Sequence, residues 1–259
     1  MLEINILGCG SSCGVPVIGC SCSVCKSDST YNKRLRSSIL INQNKTKILV
    51  DFGFNIKEQL LAADVYHLDA AILTHDHADH VSGIDELRIF YYIHGKPLDI
   101  YVNESIASQI LARYNYLFND GKLKMNIVSE FGAFNVGGID LQLFPQIHGP
   151  IRSLGLRAGD FVYSCDVSGI PPESEKYLEN IDVWVVDCMD YKSTFAHAGL
   201  ESVLKWDEKY KPKKIYLTNM NHNINYHEIL KELPRHVVPC YDGLVLKVKN
   251  RKQELNVLL

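Results

Sequence analysis

The chain has 259 residues, 22% of them charged, with a formal net charge of −3. That balance shows no broad basic face and argues against a nonspecific nucleic-acid binder, though not against a local patch. No apolar run approaches the roughly 18 residues of a membrane span, eight cysteines without a recognisable secretory signal lead to the expectation of a reducing cytoplasm, and the length suits one domain over residues 1–259 with a core that needs no staples.

The first predicted element is a strand over residues 3–7, followed by a Gly-rich turn from Leu7 to Pro16. The turn is not a nucleotide-phosphate loop, because no Gly-Lys-Ser/Thr follows it. Cys20, Cys22 and Cys25 come next. Three thiols this close suit a structural zinc, which takes four ligands in a closed tetrahedron, so a fourth must come from elsewhere. Disulfide pairing is the alternative, and three is an odd number for it. Strands over 39–42 and 47–51 flank a polar stretch that reads as a hairpin turn. A helix over 56–62 and an apolar strand over 70–74 follow.

The run from His75 to His80 packs three imidazoles and two carboxylates into consecutive positions. Imidazole with carboxylate is a ligand set for zinc, manganese or iron. His75 and His77 would point about 200° apart on a helix; in a turning loop both reach one metal. Asp79 and His80 then lie at the entrance of a helix predicted over 83–93 and can serve a second ion. The cluster therefore sits on a strand-to-helix loop, where function collects.

Further along, a strand is expected over 99–102, a helix over 105–118, and strands over 124–128, 139–144, 154–157, 161–165, 183–187 and 214–217. A helix over 200–210 is closed by Pro212, and the last strand covers 243–248. Two sheets covered by helices fit this mixture. His148 follows one strand and Asp166 another; taken alone, each would read as a turn residue.

His75-Asp76-His77-Ala78-Asp79-His80 resembles the HxHxDH signature of the metallo-β-lactamase superfamily of hydrolases. The resemblance extends over nearly the whole chain and implies an α+β fold, the αββα sandwich of two mixed sheets flanked by helices. It implies that His75, His77 and His148 hold one divalent metal, that Asp79 and His80 hold a second, and that Asp166 bridges them. Asp51 takes the family's early Asp, which supports the ligand loop. The family's last metal-binding His falls on Asn219, a weaker ligand that puts the second metal in doubt. The cysteine loop is similar to that of the branch containing the phosphoribosyl 1,2-cyclic phosphate phosphodiesterase. By that likeness Cys20, Cys22, Cys25 and His222 hold a structural zinc, and His197 is the acid that protonates the leaving oxygen.

The activity this implies is hydrolysis of a small, cyclic phosphodiester by attack of a metal-bridging hydroxide, with Asp79 and Asp166 orienting the water and zinc or manganese as the pair of metals. A nuclease like tRNase Z is an alternative, less favoured without a basic strip; a non-catalytic scaffold with a degenerate second metal site is another. Relatives often pair, so a homodimer is also expected. Arg34, Arg36 and Arg88 are candidate phosphate contacts. Cys165, Cys188 and Cys240 read as core thiols, and Cys9 and Cys13 as loop filler.

Overall fold

A computed structural model describes residues 1–249. Strands β1 (Leu2–Gly8), β2 (Ser38–Gln43), β3 (Thr46–Val50), β4 (Ala70–Ile72), β5 (Leu98–Val102) and β6 (Leu123–Ile127) pair in that order in a first sheet. A second sheet is made by β7 (Ala133–Val136), β8 (Ile139–His148), β9 (Ile151–Ala158), β10 (Phe161–Ser164), β11 (Val183–Asp187), β12 (Lys214–Thr218) and β13 (Val237–Pro239), again paired in chain order. The last strand, β14 (Val245–Val248), returns to the first sheet beside β1. Helices α1 (Ile56–Ala62), α2 (Ala78–Val81), α3 (Ile89–His94), α4 (Glu104–Asn119), α5 (Leu200–Tyr210) and α6 (Tyr226–Glu232) flank the sheets. The fold is the α+β metallo-β-lactamase type that the motif implies. None of the helices among the described residues is long and apolar enough to cross a membrane.

The two sheets share one pairing pattern. From β14 to β3 the first is antiparallel, and from β3 to β6 it is parallel. From β7 to β10 the second is antiparallel, and from β10 to β13 it is parallel. Strands β3 and β10 are the pivots. The parallel strands β4 and β11 are buried along their whole length, as strands covered on both faces must be, which explains their continuous apolar sequences. Strand β5, between β4 and the edge strand β6, alternates buried and half-buried residues, so one face meets the core.

The stretch over 83–93 is not one helix. Gly83 stands against Gly53 and Ile56, with no room for a side chain, and its N–H is drawn to Phe52 O at 2.9 Å. The chain breaks there into the single turn α2, a 3₁₀ segment Ile84–Arg88, and α3. Strands β8 and β9 run further toward each other than expected, because Gly149, at φ +55°, makes a tight hairpin. The sequence reading has no counterpart for β7, β13 or α6. The first two are short edge strands, β13 ending in Pro239, which suits an edge.

Candidate metal centre

The proposed site residues gather where strands end, mostly on the parallel side of each sheet, the usual place for a site in such sheets. Three of them, Asp51, Asp166 and Asn219, have φ near +60°, at 60°, 52° and 60°. This left-handed backbone is a region that Asp and Asn tolerate better than most residues.

Asp51 follows β3 and is fully buried. Its Oδ1 accepts the Thr74 N–H at 2.9 Å, and both oxygens accept the Thr74 hydroxyl at 3.0 Å. Its Oδ2 accepts from His80 Nδ1 at 2.8 Å. The ligand loop is thereby tied to the pivot strand, and the ring of His80 is turned so that Nε2 lies 3.3 Å from Asp79 Oδ2 and 3.4 Å from Asp166 Oδ1. This is the supporting geometry expected of Asp51.

His75, His77, His148 and Asp166 bring one donor atom each within 4.8 Å of one another. His148 donates Nδ1–H to Ala196 O at 2.7 Å, which leaves Nε2 as a lone pair aimed inward, 3.2 Å from His77 Nδ1 and 3.4 Å from Asp166 Oδ2. Burial depresses the pKa of His148 to about 4 and also lowers that of His77; both shifts favour the neutral ring, the form that binds metal. His75 Nε2 is buried with no hydrogen-bond partner among the described residues and lies 3.5 Å from Asp166 Oδ2. An orphaned imidazole nitrogen facing a carboxylate and two other nitrogens is the environment a divalent cation completes; these residues fit one.

Asp166 joins this group to the other. Burial raises its pKa, but His80 and His75 beside it more than offset that and hold the carboxyl well below its usual range. Burial raises Asp79 as well, and the hydrogen bond with His80 brings it below the ordinary value. Behind Asp166 stands a residue with no role in the sequence reading, Asp187, at the end of β11. Its Oδ2 accepts from His197 Nδ1 at 2.9 Å and from the Val167 N–H at 3.0 Å. Burial pushes Asp187 up to about 6. Burial lowers His197, yet its bond to Asp187 leaves it raised overall. Asp187 closes an apolar strand, as Asp51 and Asp166 follow theirs, but nothing in the sequence alone sets it apart. Asn219 donates Nδ2–H to Asp166 Oδ1 at 2.9 Å and to Asp187 Oδ1 at 3.2 Å.

Cys20, Cys22, Cys25 and His222 form a separate four-donor group, also within 4.8 Å. His222 Nδ1 lies 3.2 Å from Cys20 Sγ and 3.5 Å from Cys22 Sγ. The Cys25 N–H, above all, and His222 depress the Cys22 thiol to about 6. Three sulfurs and one imidazole suit a structural zinc. His222 is thus placed with the cysteines and away from Asn219's neighbours.

Two candidate phosphate contacts lie elsewhere. Arg34 is buried and donates to Asn221 O at 2.9 Å and Ile224 O at 2.8 Å, clamping the segment after Asn219. Arg88 pairs on the surface with Asp85. Arg36 reaches Ser12 O and Asn55 Oδ1, both at 3.0 Å. Cys9 is buried against Asp242, 3.3 Å from its Oδ1, and is part of the core instead of loop filler.

A family model for the beta-lactamase superfamily domain matches residues 46–220. The octanoyltransferase of Porphyromonas gingivalis is 30% identical over 248 residues, 92% of this chain and 50% of that protein, so the chain spans about half the length of this relative. The exodeoxyribonuclease WalJ of Streptococcus pneumoniae is 24% identical over 248 residues, 91% of this chain and 85% of its own. Among solved structures, a diphosphatase from the PhnP family superposes with a TM-score of 0.91 at 31% identity, covering 96% of this chain and 99% of the other.

Proposed function

The chain belongs to the metallo-β-lactamase superfamily, and from that premise we propose that it is a metal-dependent phosphodiesterase acting on a small, cyclic phosphodiester. One observation carries the reading. The two oxygens of Asp166 face different groups, Oδ2 toward His75 and His148 at 3.5 and 3.4 Å and Oδ1 toward His80 at 3.4 Å, as a carboxylate shared by two cations would. The likeness to a PhnP-family diphosphatase over the length of both chains supports phosphoester chemistry.

His75, His77, His148 and Asp166 would hold one metal; Asp79, His80, Asp166 and Asn219 the second. Zinc or manganese bound there supplies Lewis acidity to a phosphoryl oxygen and acidifies water. Asp79 and Asp166 accept hydrogen bonds from the attacking water and set its direction. His197 donates a proton to the leaving oxygen. Asp187, bound at Nδ1, fixes the ring so that Nε2 is the atom that gives the proton up. The cysteine group would hold its own zinc and brace the loop that follows Asn219.

A nuclease is the second reading, favoured by the likeness to WalJ. The deciding experiment counts metals per chain and assays bis(p-nitrophenyl) phosphate, a ribosyl cyclic phosphate and short RNA and DNA, for the wild type and Asp79→Ala. About three metals per chain, with cyclic-phosphate turnover lost in the variant, is the expected result. Preferential cutting of RNA or DNA moves the reading to a nuclease. A single metal that survives the substitution, with no substrate turned over, overturns both.

A further inference from the structure

Resting on the phosphodiesterase reading, we infer that Phe195 is the platform on which a planar aromatic part of the substrate lies, so that the cyclic phosphodiester carries a nucleobase. A lone exposed apolar side chain is ordinary. Phe195 is set apart by where it stands and how firmly it is held. Among the described residues it is the most exposed aromatic side chain, at 78%. It lies two residues before His197 and next to Ala196, whose carbonyl accepts the His148 Nδ1–H. One edge of its ring rests on Gly149, the residue after His148: a Cβ added there would be 3.2 Å from Cε1 and 3.3 Å from Cδ1. The ring is thus seated against the turn that carries His148, on the same loop as His197.

The loop is pinned on both sides of the ring. Thr194 N–H donates to His197 O at 2.9 Å, and His197 N–H donates to Thr194 Oγ1 at 3.1 Å. Ser193 N–H donates to Glu201 Oε1 at 3.2 Å, and Ala198 N–H to Val167 O at 2.7 Å. An apolar ring exposed on a held loop is a preorganised face, which loses little freedom when something lies on it. Phe54, the other exposed phenylalanine among the described residues, differs: the Arg36 guanidinium lies 5.5 Å over its ring. A free phenyl face suits a flat π-system, and every nucleobase has one, whereas ribose and phosphate have none. With the phosphoryl group at Asp166 and the leaving oxygen toward His197, a base on the same ribose would lie on the side of Phe195. That contact is remote from the bond being broken. It is made equally in the ground and transition states and therefore acts on KM more than on kcat. Phe195 is a specificity-determining residue and takes no part in the proton transfer.

The test uses the full chain loaded with metal. It compares adenosine 2′,3′-cyclic phosphate with a ribosyl cyclic phosphate that lacks a base, for the wild type, Phe195→Leu and Phe195→Trp. The wild type should favour the adenosine substrate in kcat/KM by about 5- to 150-fold, the range for one base stacked on an aromatic side chain. Phe195→Leu should lose most of that preference through KM, and Phe195→Trp should keep it. Phe195→Trp also gives a readout free of turnover: adenosine monophosphate should quench the added indole fluorescence, and ribose 5-phosphate should not. Equal losses on both substrates in Phe195→Leu, or quenching that does not distinguish the two ligands, would overturn the inference. So would a shift from dimer to monomer in Phe195→Leu with the preference intact, which would assign the ring to a contact between two copies of the chain. Turnover of both diesters with no preference for the base sinks this inference alone; selective quenching with no diester hydrolysed leaves it standing and sinks the proposed activity.

Discussion

His197 stands beside His148, with ring centroids 4.8 Å apart, and is held by a fully buried carboxylate. If it protonates the leaving oxygen, its loss should matter only when that oxygen needs a proton. We expect His197→Ala to lower kcat about 10²- to 10⁴-fold on a ribosyl cyclic phosphate, whose leaving alkoxide is a strong base, and by less than about tenfold on bis(p-nitrophenyl) phosphate. Steady-state kinetics on both substrates checks this; equal losses would assign His197 a structural role. A second residue makes a prediction about stability. Burial pushes Asp242 up to about 6, although it accepts the N–H groups of Leu35 at 2.7 Å and Cys9 at 3.0 Å. Below the ordinary carboxyl range both folded and unfolded chains carry the proton. Between that range and pH 6 the unfolded chain gives it up while the folded chain keeps it. This group's contribution to stability is therefore lost as pH rises through that window and is flat above it. Relative to Asp242→Asn, the wild type should lose about 2 kcal/mol between pH 4 and pH 6.5 in urea titrations.

At the scale of elements, the loop from His75 to His80 is positioned by close backbone packing. A side chain on Gly53 would meet the backbone carbonyl of Asp79, so the turn after β3 and the entry of α2 touch main chain to main chain. Gly53→Ala should cost about 1–3 kcal/mol by overpacking. Because the strain falls on Asp79, it should also weaken metal binding, which isothermal titration checks. Much of this was legible in the sequence. His75, His77, Asp79 and His80 are neighbours in the chain, and His148 and Asp166 end strands whose apolar runs are plain. The fold followed from the motif more than from periodicity, since strands buried on both faces do not alternate. What escaped the reading depended on contacts remote in sequence. Asp187 is an ordinary strand-closing Asp until its bonds to His197 and Asn219 are seen. Arg34 looks like any surface Arg until it is found buried, holding two carbonyls. The break at Gly83 needs Gly53, thirty residues away, to explain it.

Across the whole molecule, the two sheets repeat one pairing pattern that the sequence does not betray. Each has a pivot strand, β3 or β10, followed by an Asp in left-handed backbone, Asp51 or Asp166. The two carboxylates stand in equivalent places: one supports the ligand loop and the other faces the imidazoles. The donors are divided in the same way. His75, His77, Asp79 and His80 follow β4 in the first sheet, while His148, Asp166 and Asn219 belong to the second. The cysteines precede β2, and His222 follows β12. With metal bound as proposed, each group would work as a rivet driven through both halves. Metal bound at 100 times its dissociation constant adds about 2.7 kcal/mol, which should raise the Tm by about 5–10 °C for a chain of this size. Calorimetry of the stripped protein should show a broad melt, its van't Hoff enthalpy below the calorimetric one, as the halves part separately. Reloading should sharpen it into a single cooperative transition, so that in a cell short of metal the chain would be unbolted down its middle before any substrate tested its chemistry.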